Sequence, residues 1–189
     1  MTKSIKQAVA KLSEKRENRQ RRAQSRVLPM VFHPDPRLNQ ASLEVVFETE
    51  EDLNQLIDDL IATMREQNGV GLAAIQVGVP KRLFVYASGE KDSAAHALIN
   101  PCITHHADEE IEDEEGCLSF PGLYRPVKRS SSVIVEGFDR TGNPVTVRAE
   151  GFLARVFQHE IDHLDGDTFI EHLSDEDKRL ALREYFDLP

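Results

Sequence analysis

The sequence predicts an α+β fold in a single domain. Short antiparallel β-sheets should pack around a central buried helix carrying an H-E-x-x-H motif, and a C-terminal helix should close the chain. Three observations lead there. Two stretches have apolar residues at helical spacing, the runs between them are short and strand-like, and neither an internal repeat nor a linker long enough for a second domain is present. At 189 residues the chain can bury about two-thirds of its unfolded surface in one core.

Residues 3–25 are rich in Lys, Arg, Gln and Ala and are helix-prone, but only Ile5, Val9 and Leu12 make an apolar stripe. In His33-Pro34-Asp35-Pro36 each proline holds its predecessor in an extended shape, so this run cannot be helical and marks the start of the folded domain. Leu53, Leu56, Ile57, Leu60, Ile61 and Met64 then form a continuous helical face. Thr49 with Asp52 supplies a capping-box start, and Asn68-Gly69 supplies the stop. Leu83–Tyr86 and Ala97–Ile99 read as strands. Asp108 to Glu115 holds seven carboxylates in eight residues and reads as a solvated loop or edge. Ser132–Phe138 and Val145–Arg148 pair as a hairpin across Asp139–Asn143. Phe152, Leu153, Val156, Phe157, Ile161 and Leu164 mark a helix over 152–165 ended by Gly166, and Ser174 with Asp177 caps a last helix reaching about Phe186.

Charge divides the chain unevenly. Residues 1–26 hold nine Lys/Arg against Glu14 and Glu17, or +7, whereas the other 163 residues carry −17. An acidic body repels phosphate backbones, so DNA is not an expected partner, and the basic arm 1–26 is a separate question from the domain 27–189. No apolar run approaches the ~20 residues of a membrane span. No secretory signal is visible, and Glu14 and Glu17 weaken a presequence reading of the arm. Cys102 and Cys117 make no disulfide framework, so a cytoplasmic protein with a ligand or buried thiol is expected.

His159-Glu160-Ile161-Asp162-His163 is an H-E-x-x-H on a predicted helix. At about 100° per residue, Glu160 and His163 lie within about 100° of His159 on one arc. Two imidazoles one turn apart can grip one ion, and the adjacent carboxylate can hold and move a proton of its water. The third ligand is open on spacing. A histidine extension would need His at position 169, which is Phe169, so that branch fails. A glutamate on a later helix is met by Glu184, and a thiolate is met by Cys117.

Gly69-Val70-Gly71-Leu72-Ala73-Ala74-Ile75-Gln76, Glu115-Gly116-Cys117-Leu118-Ser119 and Gln158-His159-Glu160-Ile161-Asp162-His163 together resemble the three motifs of the peptide deformylases, in order and with similar spacing. The resemblance spans about Val27 to Leu173 and leaves residues 1–26 outside it. It implies removal of the N-formyl group from formyl-methionyl nascent peptides, with release of formate. It also implies one divalent ion on Cys117, His159 and His163, Fe²⁺ ahead of Zn²⁺, Ni²⁺ or Co²⁺. Glu160 would be general acid/base to the metal-bound water, and the Gln76 amide and Leu118 N–H would stabilise the oxyanion. Backbone at Val70, Gly71 and Gly116 would bind the peptide as a strand binds. Some relatives have arginine where this chain has Tyr124. Arg155 is read as either a site residue or an ion-paired one. Asp162 and Asp165 are candidates to orient the imidazoles or to form salt bridges. The basic arm is a candidate contact to ribosomal RNA.

Overall fold

The computed structural model describes residues 25–47, 52–87 and 93–188. Among them are three α-helices: α1 (Leu53–Glu66), α2 (Gly151–Asp165) and α3 (Asp175–Asp187). Strands β1 (Gly71–Ala73), β2 (Leu83–Ala87), β3 (Ala95–His106), β6 (Ser132–Phe138) and β7 (Pro144–Glu150) form one antiparallel sheet in the order β1-β2-β3-β6-β7. Strands β4 (Glu110–Cys117) and β5 (Phe120–Ser130) form a separate two-stranded sheet. No helix among the described residues is long and apolar enough to cross a membrane.

The larger sheet is covered on both faces, which is why β2 is an unbroken apolar run rather than an alternation. Leu83 and Val85 point to α1, joining Ile57, Leu60 and Met64 in one cluster. Phe84 points the other way and joins Phe157, Ile161 and Leu164 of α2. Phe157 and Leu164 are fully buried, and burial of each such side chain contributes on the order of 1.5–3 kcal/mol. The opposite side of α2 carries Arg155, Gln158 and His159, all buried as well. The motif helix is therefore clamped between the sheet and the β4–β5 hairpin, as a central buried helix should be.

The helix ends follow local rules. Asn68 (φ 56°) takes the left-handed position after α1, so that its N–H reaches Arg65 O at 3.1 Å and the Gly69 N–H reaches Met64 O at 2.8 Å. Asp52 caps α1 without a side-chain hydrogen bond, and Thr49 lies outside the described residues. Gly166 (φ 89°) ends α2, and Ser174 Oγ accepts the Asp177 N–H at the start of α3. The predicted hairpin turn is present, with the Asp139 carboxylate accepting N–H groups of Thr141 and Asn143.

Most of the acidic stretch is β4, an edge strand as expected, with residues 110–114 exposed, although Glu115 at its end is buried. Its partner β5 had no counterpart in the sequence reading, because Pro121, Gly122 and Pro126 look like breakers. A two-stranded sheet has only edges, where proline is tolerated. β3 is also far longer than Ala97–Ile99, since shifts of register at Ile99/Cys102 and Ile103/His105 break its alternation.

Arg26, the first charged residue among the described ones, is tied to this body. Its peptide N–H and guanidinium both reach the buried Asp59 of α1, at 2.8 and 3.2 Å. Residues 1–24, most of the basic arm, lie outside the described residues.

Candidate metal centre

Cys117 ends β4 at a register shift after Gly116, and its buried side chain faces His163 of α2. Cys117 Sγ lies 3.1 Å from His163 Nε2, and the ligand atoms of Cys117, His159 and His163 all fall within 4.8 Å of one another. Ligands at 2.0–2.3 Å from a common tetrahedral ion stand roughly 3.3–3.8 Å apart, so this buried trio needs little movement to close on one cation. Burial raises the Cys117 pKa, but the imidazoles of His163 and His159 outweigh it and bring the thiol down to about 5. The donor set of one thiolate and two imidazoles suits a divalent transition ion.

Glu115, which sequence reasoning missed, stands behind His159. Its Oε1 lies 2.7 Å from His159 Nδ1, which leaves Nε2 for the ion. Burial alone would raise the Glu115 pKa. Hydrogen bonds from His159 and Arg129 hold it well below the usual carboxylate range instead. Arg129 reaches both its oxygens at 3.1 and 2.7 Å, and Arg155 reaches Oε2 at 2.8 Å. One signal was available in the sequence: on a strand, residues two apart share a face, so Glu115 must point the same way as Cys117. Its six acidic neighbours hid it.

Glu160 lies beside the trio, 4% exposed, and its Oε2 is buried without a hydrogen-bond partner among the described residues. Burial raises its pKa to about 7; the two imidazoles pull it down and the thiolate pushes it up. A Cβ on Gly71 would stand 2.3 Å from Glu160 Oε1, so only glycine leaves room for this carboxylate. Gln76 sits in a 3₁₀ turn (Ala74–Val77) directly after β1. Its Oε1 accepts the Ala73 N–H at 2.9 Å, which aims Nε2 at Ser119 Oγ (3.2 Å) and Cys117 Sγ (3.5 Å).

A cavity of about 660 Å³ opens over this cluster, and Val70, Gly71, Gln76, Gly116, Cys117, Leu118, His159 and Glu160 all line it. Of the nine sequence-predicted site residues only His163, fully buried beneath, is not part of its wall. Tyr124 also lines it, its ring lying against Gly116 where a Cβ would otherwise be. The structure separates the remaining alternatives. Glu184 is not a ligand: it pairs with Arg125 at the surface. Asp162 bonds Arg129 and His172, and Asp165 bonds Arg82, so both make salt bridges rather than holding the ligand imidazoles. Arg155 is the buried ion-paired residue of the two readings, although its side chain also borders the cavity.

The polypeptide deformylase family model matches residues 27–179. A peptide deformylase of Rhizobium meliloti is 42% identical over 162 residues, covering 84% of this chain and 92% of its own. One from Thermodesulfovibrio yellowstonii is 44% identical, covering 84% and 96%. The crystal structure of a peptide deformylase from Legionella pneumophila superimposes with a TM-score of 0.79 at 40% identity, covering 85% of this chain and 94% of that one. With the match running from the start of the folded core into α3, and through every wall of the cavity, the chain belongs to the polypeptide deformylase family, metal-dependent enzymes that remove the formyl group from new peptides.

Proposed function

We propose that this cavity deformylates formyl-methionyl nascent peptides with one divalent ion held by Cys117, His159 and His163. The observation that carries the assignment of roles is the buried, unpartnered Oε2 of Glu160 beside the three ligand atoms. Such an ion supplies Lewis acidity and makes hydroxide available near neutral pH. Glu160 takes the proton of the attacking water and returns it to the departing amine, a task suited to a buried carboxylate with an oxygen free of other partners among the described residues. The Gln76 Nε2 and the Leu118 N–H stabilise the oxyanion that forms on the formyl oxygen.

Peptide binding follows from the sheet. β1 is an edge strand, and Val70 O accepts the Ala87 N–H of β2 at 2.9 Å. Because antiparallel residues alternate, the N–H and C=O of Gly71 then point away from β2. An extended substrate adds there as a further strand, with Val70, Gly71 and Gly116 along its path. The direct test is formate release from formyl-Met-Ala by anaerobically purified protein, with unformylated Met-Ala as control. Hydrolysis of the unformylated peptide instead would overturn the assignment.

Gln76→Leu should fold and keep the ion but lose on the order of 10²–10³ in kcat, since one aimed donor is removed from the transition state. A change confined to KM would mark Gln76 as a ground-state binder.

Fe²⁺ is the proposed native ion ahead of Zn²⁺, because ferrous iron expands its coordination shell readily, and its own one-electron oxidation would make that form sensitive to air. Apo-protein reconstituted anaerobically should be most active with Fe²⁺, Ni²⁺ or Co²⁺, and only the iron form should decay in air. A zinc form that equals the iron form before and after air exposure would rule iron out.

We also assign the basic arm 1–26 a role outside catalysis, in a cytoplasmic protein that meets nascent chains at the ribosome. Its +7 charge beside a −17 body suits an anionic partner such as ribosomal RNA. Deleting residues 1–24 retains the Arg26–Asp59 pair, so formate release from short peptides should stay near wild type. Ribosome co-sedimentation at low salt should fall. Loss of activity on deletion would show that the arm belongs to the catalytic domain.

A further inference from the structure

We propose that Arg129 is a positioning residue for the metal ligands, joining the strand that presents Cys117 to the helix that presents both histidines. This rests on the metal reading of the site and extends it. Arg129 lies on β5 and touches none of the three ligands, yet its side chain is only 4% exposed. Nε and Nη2 fork onto the two oxygens of Glu115, two residues before Cys117 on β4, at 3.1 and 2.7 Å. Nη1 reaches Asp162 Oδ2 at 2.6 Å, on α2 directly before His163, and lies 3.1 Å from His172 Nε2. One guanidinium therefore holds the carboxylates next to the thiolate and next to the second histidine, while Glu115 in turn holds His159.

Two features argue that this cluster serves the site and not stability alone. Burying several charges gains little or nothing over apolar packing, so an ion cluster in a core is weak evidence of a stabilising role. The two histidines are also held differently: His159 Nδ1 is fixed by Glu115, whereas His163 Nδ1 is buried without a partner among the described residues. The direction of His159 and the separation of β4 from α2 thus depend on Glu115, which the fork from Arg129 places together with Arg155 of α2. A lysine would retain the charge but could not bridge both carboxylates in this planar arrangement.

The test uses full-length protein loaded with Co²⁺, comparing wild type with Arg129→Lys, Arg129→Met and Asp162→Asn. Readouts are the thiolate-to-cobalt and ligand-field absorption, the rate of Co²⁺ loss to a chelator, kcat and KM for formyl-Met-Ala, and Tm. Arg129→Lys should release Co²⁺ about 10–100-fold faster, the usual effect of losing a residue that orients a ligand. Its cobalt spectrum should shift, and kcat should fall with KM unchanged. Asp162→Asn cuts only one arm of the bridge and should move the same readouts less. Arg129→Lys and Asp162→Asn with wild-type spectra and release rates would overturn the inference, however far Tm falls, and leave Arg129 a structural residue. Wild-type protein that takes up no Co²⁺ would instead overturn the metal reading itself.

Discussion

Cys117→Ala, His159→Ala and His163→Ala are each expected to lose the ion and all measurable formate release, while Glu184→Ala keeps both. A centre with three protein ligands has none to spare, because the remaining positions belong to water and substrate. Loss of the thiolate should be the most severe. It removes the one charged ligand and also the acceptor that Gln76 Nε2 and the Ser119 N–H now share. His159→Ala should still fold, since Glu115 keeps its bonds to Arg129 and Arg155 after the imidazole has gone. Glu184 lies at the surface on Arg125, so its removal costs a solvent-exposed ion pair worth no more than about 1 kcal/mol. The measurement is elemental analysis of protein freed of loose metal, together with the formate assay. Metal lost from the Glu184 variant but retained by the Cys117 variant would transfer the third ligand to glutamate and the protein to another class of hydrolase.

The parts of this site that were legible in the sequence are those written in local spacing. His159, Glu160 and His163 follow from helical periodicity, and α1, α2 and the β6–β7 hairpin follow from apolar patterns and caps that act within a few residues. Cys117 needed the motif around it, because spacing alone left Glu184 equally available. What escaped was set by contacts distant in the chain. Glu115 meets Arg129, Arg155 and His159 across 14, 40 and 44 residues, and nothing in an acidic run shows which carboxylate will be buried. Strand β5 escaped because its prolines are acceptable only on an edge, and being an edge is a property of the tertiary pairing. Asp162 was placed near the site by its position in the motif, but its side chain leaves the same helix on the side facing Arg129.

Glu160→Gln is expected to keep the fold and the ion and to lose about 10²–10⁴ in kcat, the range that a positioned acid/base supplies. The amide has the same shape as the carboxylate, so it occupies the same niche against Gly71, where no Cβ could fit. The ligands Cys117, His159 and His163 are untouched, so metal content should equal that of wild type. KM for a formyl dipeptide should change little, because Glu160 is assigned no bond to the ground-state substrate. What the variant lacks is a group able to accept a proton and give it back. Glu160→Asp separates this role from simple bulk. It restores the carboxylate but withdraws it by one methylene, and a displacement of about 1 Å in such a group costs on the order of 10² in rate. Both variants should therefore be slow for different reasons, and only the aspartate should retain a pH-dependent step on the acid side of the profile. Near-normal kcat in Glu160→Gln with metal retained would transfer the proton to another group and leave the buried oxygen of Glu160 without a function.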